Sequence, residues 1–349
     1  MSVVVDFRAV SIVFGDNPAA ALPLMDAGQS RAEIQEATGQ VLGVHDCSLS
    51  VREGEILVLM GLSGSGKSTL LRSVNALNPI ARGSVLVNDG DDMLDVTQAD
   101  AQQLRDLRQK RVTMVFQQFG LLPWRTVREN VGFGLELAGI DVKSRAERVT
   151  RQLELVGLGD WASRAVSELS GGMQQRVGLA RALVTEAPIL LMDEPFSALD
   201  PLIRSRLQDE LLELQRELKR TIIFVSHDLD EAFKLGDQIA IMEGGRVVQS
   251  GAPRAIFSQP ANDYVADFVT HMNPLAVLCA EDMMQPPPTT PPATQVAASA
   301  TIHSVMHDVL ASPDGVAVMS DDRCVGVITA DSVLERLVST GNTNVSDLG

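Results

Sequence analysis

The chain has 349 residues, 45% of them hydrophobic, which is enough for one large domain with a sizeable core and a small second domain. Its 45 acidic and 29 basic residues give a net charge of −16, which argues against a nucleic-acid partner because a surface that coats nucleic acid needs a basic stripe. No apolar run approaches the roughly 20 residues of a membrane span, and residues 1–8 lack the basic flank and long apolar stretch of a signal peptide. We therefore expect a cytoplasmic protein whose role at a membrane, if it has one, comes through partners.

The N-terminal part of the chain predicts two strands with a short helical segment between them. Alternating apolar side chains predict strands over residues 3–14 and 41–51. Residues 16–40 carry apolar side chains at helical spacing, and Ser30 followed by Glu33 predicts a capping box at a helix start. We expect residues 16–40 to form an insertion that loops out of the sheet.

A phosphate-binding loop of the type G-x-x-x-x-G-K-[ST] follows a predicted buried strand at residues 55–60 and precedes a predicted helix at residues 67–76. Its glycines let backbone N–H groups face phosphate oxygens, and the helix N-terminus faces the same anion. Lys67 should reach the β- and γ-phosphates of ATP, and the Ser68 hydroxyl should bind Mg²⁺. The motif alone indicates nucleoside triphosphate binding and no particular class of protein. The ATP-binding residues predicted in this segment are Gly61, Ser63, Gly64, Ser65, Gly66, Lys67, Ser68 and Thr69.

Two adjacent carboxylates follow the apolar run at residues 189–192, which predicts a central parallel strand. Asp193 would end this strand at the carboxyl edge of the sheet, where ligands bind, and is suited to hold Mg²⁺ through water. Glu194 is the candidate general base for the attacking water. Alternation along a strand would point the two side chains in different directions, which suits two roles.

Strands and helices alternate through most of the chain, which predicts an α/β sheet. Residues 222–225 and 238–242 predict two further strands, and residues 243–246 predict a hairpin turn. Residues 119–186 are richer in helical pattern and include a predicted helix at residues 170–186. We expect residues 119–186 to form a helical subdomain set into the sheet of a domain that spans residues 1–270.

The composition changes in the last quarter of the chain. Residues 283–307 contain no Asp, Glu, Lys or Arg, and five prolines lie in the first half of this run, at residues 286–292. We expect residues 271–300 to form a connector with a polyproline-type spacer. Residues 301–349 then restart a small α+β fold. Its predicted elements are strands at residues 316–319 and 324–329 and a helix at residues 331–338.

A further motif, Leu169-Ser170-Gly171-Gly172-Met173-Gln174-Gln175, lies between the phosphate loop and the Asp193-Glu194 pair. In this order the motifs resemble the ABC ATPase superfamily over roughly residues 1–270. The resemblance implies an α/β P-loop NTPase of the ABC ATPase type that hydrolyses ATP with Mg²⁺ as a homodimer closed over two ATP molecules. Ser170, Gly171 and Gly172 would face the ATP of the opposite subunit, and Asp200 would lie in the loop that crosses the dimer seam.

The resemblance also implies roles for three residues outside these motifs. Gln117 matches the Q-loop glutamine, which should approach the Mg²⁺ and the attacking water. His227 matches the switch histidine, which contacts the γ-phosphate. The catalytic residues that the resemblance implies are thus Gln117, His227, Glu194 and Lys67. Phe14 is the candidate for stacking on the adenine, with packing in the protein core as the alternative.

The motif continues to Arg176 in a form that resembles importer ATPases. The insertion and its flanks resemble the ATPase subunits of glycine betaine, proline and choline importers, and most of all those for choline. This implies choline uptake, with glycine betaine or proline uptake as the alternative. The implied partners are integral membrane permease subunits and, indirectly, a periplasmic or extracellular substrate-binding protein, with the ATPase peripheral on the inner face of the membrane.

Two other classes of ABC protein stay open as alternatives. Soluble ABC ATPases outside transport usually carry two cassettes or a long coiled coil, and this chain has neither. A nucleotide sensor without turnover is disfavoured because Glu194 and His227 are both present. Residues 316–338 resemble part of one CBS unit, which would be either regulatory or vestigial. Trp124 would lie either on a groove that faces the permease or in the core of the helical subdomain.

Overall fold

The structure is a computed structural model that describes residues 2–117, 120–197, 199–270, 275, 277–321 and 323–341, without the side chains of residues 214, 218 and 336–341. The chain forms two compact units, Met1–Ala252 and Pro253–Gly349.

The first unit is built on a six-stranded sheet with the order β10-β9-β3-β8-β7-β6. Five neighbouring strands run parallel, and β10 joins β9 through the predicted hairpin turn. All residues of β3, β7 and β8 are buried, as their apolar runs require in a sheet covered on both faces. The strands are β3 (Ile56–Met60), β6 (Val112–Val115), β7 (Ile189–Asp193), β8 (Thr221–Val225), β9 (Gln238–Glu243) and β10 (Arg246–Gly251).

A second, antiparallel sheet has the order β2-β1-β4-β5. One core joins it to the parallel sheet, since Phe7 and Ile12 lie in the same apolar cluster as Leu59 and Val225. The strands predicted near residues 3–14 and 41–51 are therefore confirmed. They are β1 (Val3–Phe14), β2 (Val41–Arg52), β4 (Arg82–Asn88) and β5 (Met93–Asp95).

The insertion forms two short helices, α1 (Leu22–Asp26) and α2 (Arg31–Thr38). The predicted capping box is present: Ser30 Oγ accepts from the Glu33 N–H at 3.3 Å, and Glu33 Oε2 accepts from the Ser30 N–H at 2.7 Å. Met25 and Ile34 are buried against Val13 and Leu42 of the neighbouring strands. The insertion is thus packed onto the sheet and has its own small core.

The remaining helices of this unit flank the sheets. The helix after the phosphate loop ends at Leu71, earlier than the predicted residue 76, because the N–H groups of Ser73, Val74 and Ala76 bond to carbonyls three residues back. The helices are α3 (Lys67–Leu71), α4 (Ala101–Lys110), α5 (Val127–Leu137), α6 (Val142–Leu155), α7 (Gly171–Leu183), α8 (Pro201–Leu218) and α9 (Leu229–Leu235).

Helices α5, α6 and α7 lie within residues 119–186, where a helical subdomain was predicted. Val131, Leu153 and Val177, one from each helix, share an apolar core. The predicted first residue of the subdomain, Phe119, lies outside the described residues. Trp124 is 77% exposed, so its reading as subdomain core is wrong.

The second unit contains a three-stranded sheet with the order β11-β12-β13, in which β11 is parallel to β12 and β13 is antiparallel to it. From β11 to α14 the order is strand, helix, strand, strand, helix. The likeness to a CBS unit stays a prediction. The elements are α10 (Pro253–Ser258), α11 (Asp263–Thr270), α12 (Ala280–Met283), β11 (Gln295–Ala297), α13 (Ile302–Ala311), β12 (Val316–Ser320), β13 (Arg323–Ile328) and α14 (Ala330–Gly341).

The expected boundaries at residues 270 and 300 differ from this division. Leu278, Met283 and Ala298, all within the expected connector, are buried in the same core as Val316 and Ile328. The uncharged run at residues 283–307 is therefore partly core here, since charged side chains are seldom fully buried. Among the described residues, no helix is long and apolar enough to cross a bilayer.

Candidate active site

Four parallel strands end at one edge of the large sheet and bring the predicted site together there. The segments that leave β3, β6, β7 and β8 carry the phosphate loop, Gln117, Glu194 and His227. Because the carboxyl ends of parallel strands share an edge, residues that are far apart in sequence become neighbours. The residues predicted for the site therefore lie together at this edge.

The phosphate loop requires glycine at two positions. Gly61 has a φ of 138°, and a Cβ added there would lie 2.1 Å from the Met242 carbonyl oxygen. Gly66 has a φ of 102°, and its Cβ would lie 2.6 Å from the Gly43 carbonyl oxygen. Both distances are far too short for a real Cβ contact, so any side chain at these two positions would displace the loop.

Lys67 extends back along the loop. Its Nζ donates to the carbonyl oxygens of Gly61 at 2.8 Å and Leu62 at 2.9 Å. Burial lowers the pKa of Lys67, while the nearby charges of Glu194 and Asp193 act in the opposite direction. The Ser65 hydroxyl in the same loop is buried and has no hydrogen-bond partner among the described residues. A buried ammonium and an unpaired hydroxyl fit a loop that receives an anion.

Asp193 ends β7 and has no exposed surface. Its Oδ1 accepts a hydrogen bond from Ser68 Oγ at 2.6 Å, and its Oδ2 pairs with Arg72 Nη2 at 2.8 Å. The structure therefore brings together Ser68 and Asp193, two of the three side chains predicted to bind Mg²⁺, while the third, Gln117, contacts Glu194. Sequence reasoning missed Arg72, although its position four residues after Ser68 places both on one helical face.

Glu194 adopts a left-handed backbone conformation with a φ of 50°, which is uncommon for a residue other than glycine. Its Oε2 accepts from Gln117 Nε2 at 3.2 Å and lies 3.6 Å from His227 Nδ1. Its backbone carbonyl accepts from Gln175 Nε2 of α7 at 3.3 Å. Glu194, Gln117 and His227 thus form one cluster.

A cavity of about 570 Å³ opens beside this cluster. This volume lies in the range typical of small-molecule and cofactor sites. Phe14 lines it and is 37% exposed, so the alternative that Phe14 packs in the core is wrong. Arg31 of the insertion also lines it and was missed by sequence reasoning. The predicted residues on its wall are Phe14, Ser63, Gly64, Gly66, Lys67, Ser68, Thr69, Gln117, Glu194 and His227.

Comparison with known proteins identifies the family to which this chain belongs. A family model described as "ABC transporter" matches residues 44–197. The glycine betaine/proline betaine transport system ATP-binding protein ProV of Escherichia coli is 49% identical over 288 residues, which cover 82% of this chain and 71% of ProV. This chain belongs to the ABC transporter ATPases.

A second relative matches this ABC ATPase along nearly its whole length. The trimethylamine N-oxide transport system ATP-binding protein TmoW of Pelagibacter ubique is 39% identical over 338 residues, which cover 96% of this chain and 98% of TmoW. Among solved structures, the dimeric ATP-binding cassette MJ0796 bound to ADP and Pi matches with a TM-score of 0.62 and 28% identity, covering 71% of this chain and 98% of that one. The ABC ATPase fold and the enzyme class, an ATP hydrolase coupled to transport, are confirmed.

The residues predicted to act on the opposite subunit lie away from the cavity of their own chain. Ser170 caps α7, accepting at Oγ from the Met173 N–H at 3.4 Å, and Gly171 and Gly172 begin that helix. Asp200 caps α8, accepting from the Ile203 N–H at 3.1 Å. Ser170, Gly171 and Asp200 are exposed, as a surface that meets a second subunit requires.

A polar network that sequence reasoning missed joins α8 to the His227 segment of this ABC ATPase. Arg204 pairs with Asp228 at 3.0 Å. Glu231 is buried, accepts from Gln208 Nε2 at 3.0 Å, and is also hydrogen-bonded by the Ser226 hydroxyl. Burial raises the pKa of Glu231 against the opposing effect of these hydrogen bonds. The residue before His227 is thereby tied to the helix that follows Asp200.

Proposed function

We propose that this ABC ATPase powers the uptake of a small methylated amine, with glycine betaine as the first candidate and trimethylamine N-oxide as the second. The observation that carries the proposal is the similarity to transport ATP-binding proteins named for these solutes: 49% identity to ProV and a match along nearly the full length of TmoW. Neither relative is named for choline. Choline shares their methylated nitrogen and stays a prediction without support from them.

The phosphate loop is proposed to hold the β- and γ-phosphates of ATP through its backbone N–H groups and Lys67. Phe14, exposed at the end of β1 on the cavity wall, is proposed to stack on the adenine. The buried, unpaired hydroxyl of Ser65 supports this use of the loop, since such a group in a folded protein otherwise has a partner.

Ser68 and Asp193 are proposed to hold Mg²⁺, with Gln117 nearby. The described residues contain no group of three His, Cys, Asp or Glu side chains that could hold a metal ion alone. A site made of one hydroxyl and one carboxylate suits Mg²⁺, which keeps several waters and takes further oxygens from phosphates. When bound there, Mg²⁺ would neutralise charge on the phosphate oxygens. Arg72, paired with Asp193 at 2.8 Å, keeps that carboxylate aligned with Ser68.

Glu194 is proposed to accept the proton of the attacking water. Gln117 donates to Oε2 of this carboxylate at 3.2 Å and would orient it, and His227, 3.6 Å from the same oxygen, would contact the γ-phosphate. Ser170, Gly171, Gly172 and Asp200 would complete the site from the second subunit of a homodimer. Catalysis would then rest on positioning and charge stabilisation, as phosphoryl transfer generally does.

The partners implied by this function are two copies of the chain, integral membrane permease subunits and a separate substrate-binding protein outside the membrane. The ATPase would sit peripherally on the inner face of that membrane. The exposed Trp124 lies just before α5 of the helical subdomain, where a permease contact is proposed. The dimeric MJ0796 cassette supports the dimer part of this proposal.

The test is ATP hydrolysis by the subunit reconstituted in lipid with its permease and binding protein. Glycine betaine, trimethylamine N-oxide, proline, choline and an unrelated amino acid are added in turn. Stimulation by glycine betaine or trimethylamine N-oxide supports the proposal. Stimulation by choline or proline alone overturns this choice of solute and keeps the importer. An active ATPase that none of them stimulates overturns the importer assignment, with the Glu194→Gln variant as the control for hydrolysis.

A further inference from the structure

The 16–40 insertion places one charged side chain at the nucleotide cavity. Arg31 is the first residue of α2, and the Ser30–Glu33 capping box determines where that helix begins. Met25 and Ile34 anchor the insertion on the sheet through a shared apolar core. The position of Arg31 is therefore determined by packing and capping, so it is not a surface side chain that happens to lie nearby.

The guanidinium of Arg31 bridges two walls of the cavity. Its Nη2 donates to the Gly43 carbonyl oxygen of β2 at 2.7 Å, and its Nη1 donates to the Gly64 carbonyl oxygen of the phosphate loop. Gly64 has a φ of 79°, so it forms a left-handed turn at the tip of the loop. A Cβ at Gly245 would lie 2.7 Å from Nη2, so the absence of a side chain there leaves room for this bridge.

The charge of Arg31 is not balanced within the part of the chain that the structure describes. No carboxylate of those residues pairs with it, and its Nε is buried without a hydrogen-bond partner. Burial lowers the pKa of Arg31, yet arginine keeps its proton in proteins. A half-buried cation on the wall of a cavity that also holds Lys67 favours a polyanion in that cavity.

We propose that Arg31 is a positioning residue of the nucleotide site: it fixes the Gly64 turn of the phosphate loop against β2 and adds positive charge on the side of the nucleotide polyphosphate. The insertion would then act on nucleotide affinity directly. This proposal rests on the proposed nucleotide function of the same cavity. Because the added charge acts on the polyphosphate, the effect should be larger for MgATP than for MgADP.

The experiment compares Arg31→Gln and Arg31→Lys with two control variants in the full chain. Arg82→Gln is the matched control, because Arg82 also pairs with the insertion, at 2.8 Å from Asp26, but does not line the cavity. Lys67→Ala is the control for the site itself. Dissociation constants for MgATP and MgADP are measured by calorimetry, KM and kcat by phosphate release, and melting temperature without nucleotide by circular dichroism.

Arg31→Gln should weaken MgATP binding about tenfold, or about 1.4 kcal/mol, because it removes a positive charge from beside the polyphosphate and loosens the Gly64 turn. It should raise KM while kcat at saturating ATP stays within about twofold, and its melting temperature should match that of Arg82→Gln. Arg31→Lys keeps the charge but reaches only one carbonyl oxygen, so it should weaken binding by about two- to threefold. Arg82→Gln should leave both dissociation constants unchanged.

An affinity of Arg31→Gln within twofold of the parent, or no weaker than that of Arg82→Gln, overturns the role of Arg31. So does an equal loss for MgATP and MgADP that tracks a fall in melting temperature, which would mark a purely structural tether. If Arg31→Gln does not fold, Arg31→Lys decides: a MgATP affinity equal to that of the parent and of Arg82→Gln overturns the role of Arg31, and a two- to threefold loss at an unchanged melting temperature supports it. If Lys67→Ala also leaves MgATP binding unchanged, the proposed nucleotide site itself is wrong. If Lys67→Ala weakens MgATP binding and Arg31→Gln does not, the nucleotide site is supported and the proposal for Arg31 fails.

Discussion

Replacing Asp193 by Asn should destabilise the first unit, because it leaves the Arg72 guanidinium without its carboxylate. Removing one partner of a buried ion pair typically costs about 3–5 kcal/mol. Asp193 is fully buried, but the Arg72 side chain is 37% exposed, so water compensates part of the loss. Exposed pairs contribute only about 0.2–1 kcal/mol. Between these limits we expect Asp193→Asn to lower the free energy of unfolding by about 1–3 kcal/mol.

Tryptophan fluorescence during urea unfolding measures this change, since both tryptophans of the chain, Trp124 and Trp161, lie in the first unit. The matched control is Asp209→Asn. Asp209 pairs with Lys234 at 2.7 Å, with side chains 61% and 35% exposed, so this change should cost at most about 1 kcal/mol.

A double-mutant cycle separates the ion pair from other effects of the substitution. Once Arg72→Met has removed the cation, Asp193→Asn should cost clearly less than it does alone, because no charge is then left unpaired. The reasoning is refuted if Asp193→Asn costs no more than Asp209→Asn, or if the costs of Asp193→Asn and Arg72→Met simply add.

Three further predictions concern catalysis, pH and coupling. Glu194→Gln should lower kcat about 10²- to 10⁴-fold, the usual contribution of a general base, and keep MgATP binding; near-normal phosphate release would contradict that role. Burial raises the pKa of Glu231 above 4.5, so the stability that this carboxyl contributes is complete below that pH and is lost as pH rises through its folded-state pKa. Relative to the parent, Glu231→Gln should therefore become more stable as pH rises. Urea unfolding at several pH values measures this change, and Glu213→Gln, at an exposed position, should not show it. Trp124→Ala should leave the ATPase activity of the isolated subunit unchanged and reduce its stimulation by transported solute in lipid; full stimulation would remove Trp124 from the permease contact.

The parts of the site that sequence reasoning located are those with local motifs or strand-end positions. The phosphate loop is contiguous, so its chemistry follows from residues 61–68 alone. Glu194 and His227 each follow an apolar run, and a parallel sheet brings such ends to one edge whatever the tertiary detail. Arg72 could have been found by helical spacing from Ser68.

Other features depend on contacts that no local pattern contains. Arg31 meets Gly64 across 33 positions of sequence, and only the packing of the insertion against the sheet places them together. The uncharged run near residues 283–307 predicted a spacer, yet Met283 and Ala298 are core residues of the second unit. Composition alone does not separate these cases, since a spacer and a buried segment can share it.

The two carboxylates of Asp193 and Glu194 are separated by a different structural cause from the one expected. Strand alternation was expected to point the two carboxylates apart, but β7 ends at Asp193, and Glu194 turns away through a left-handed backbone. Such a conformation costs about 1–3 kcal/mol and persists only where its surroundings impose it. Here the Glu194 N–H donates to the Val225 carbonyl oxygen at 3.1 Å, and the Glu194 carbonyl oxygen accepts from the buried Gln175 of α7. Because α7 begins with the Ser170-Gly171-Gly172 segment, a movement of that helix toward a second subunit would act directly on the backbone that orients the Glu194 carboxylate.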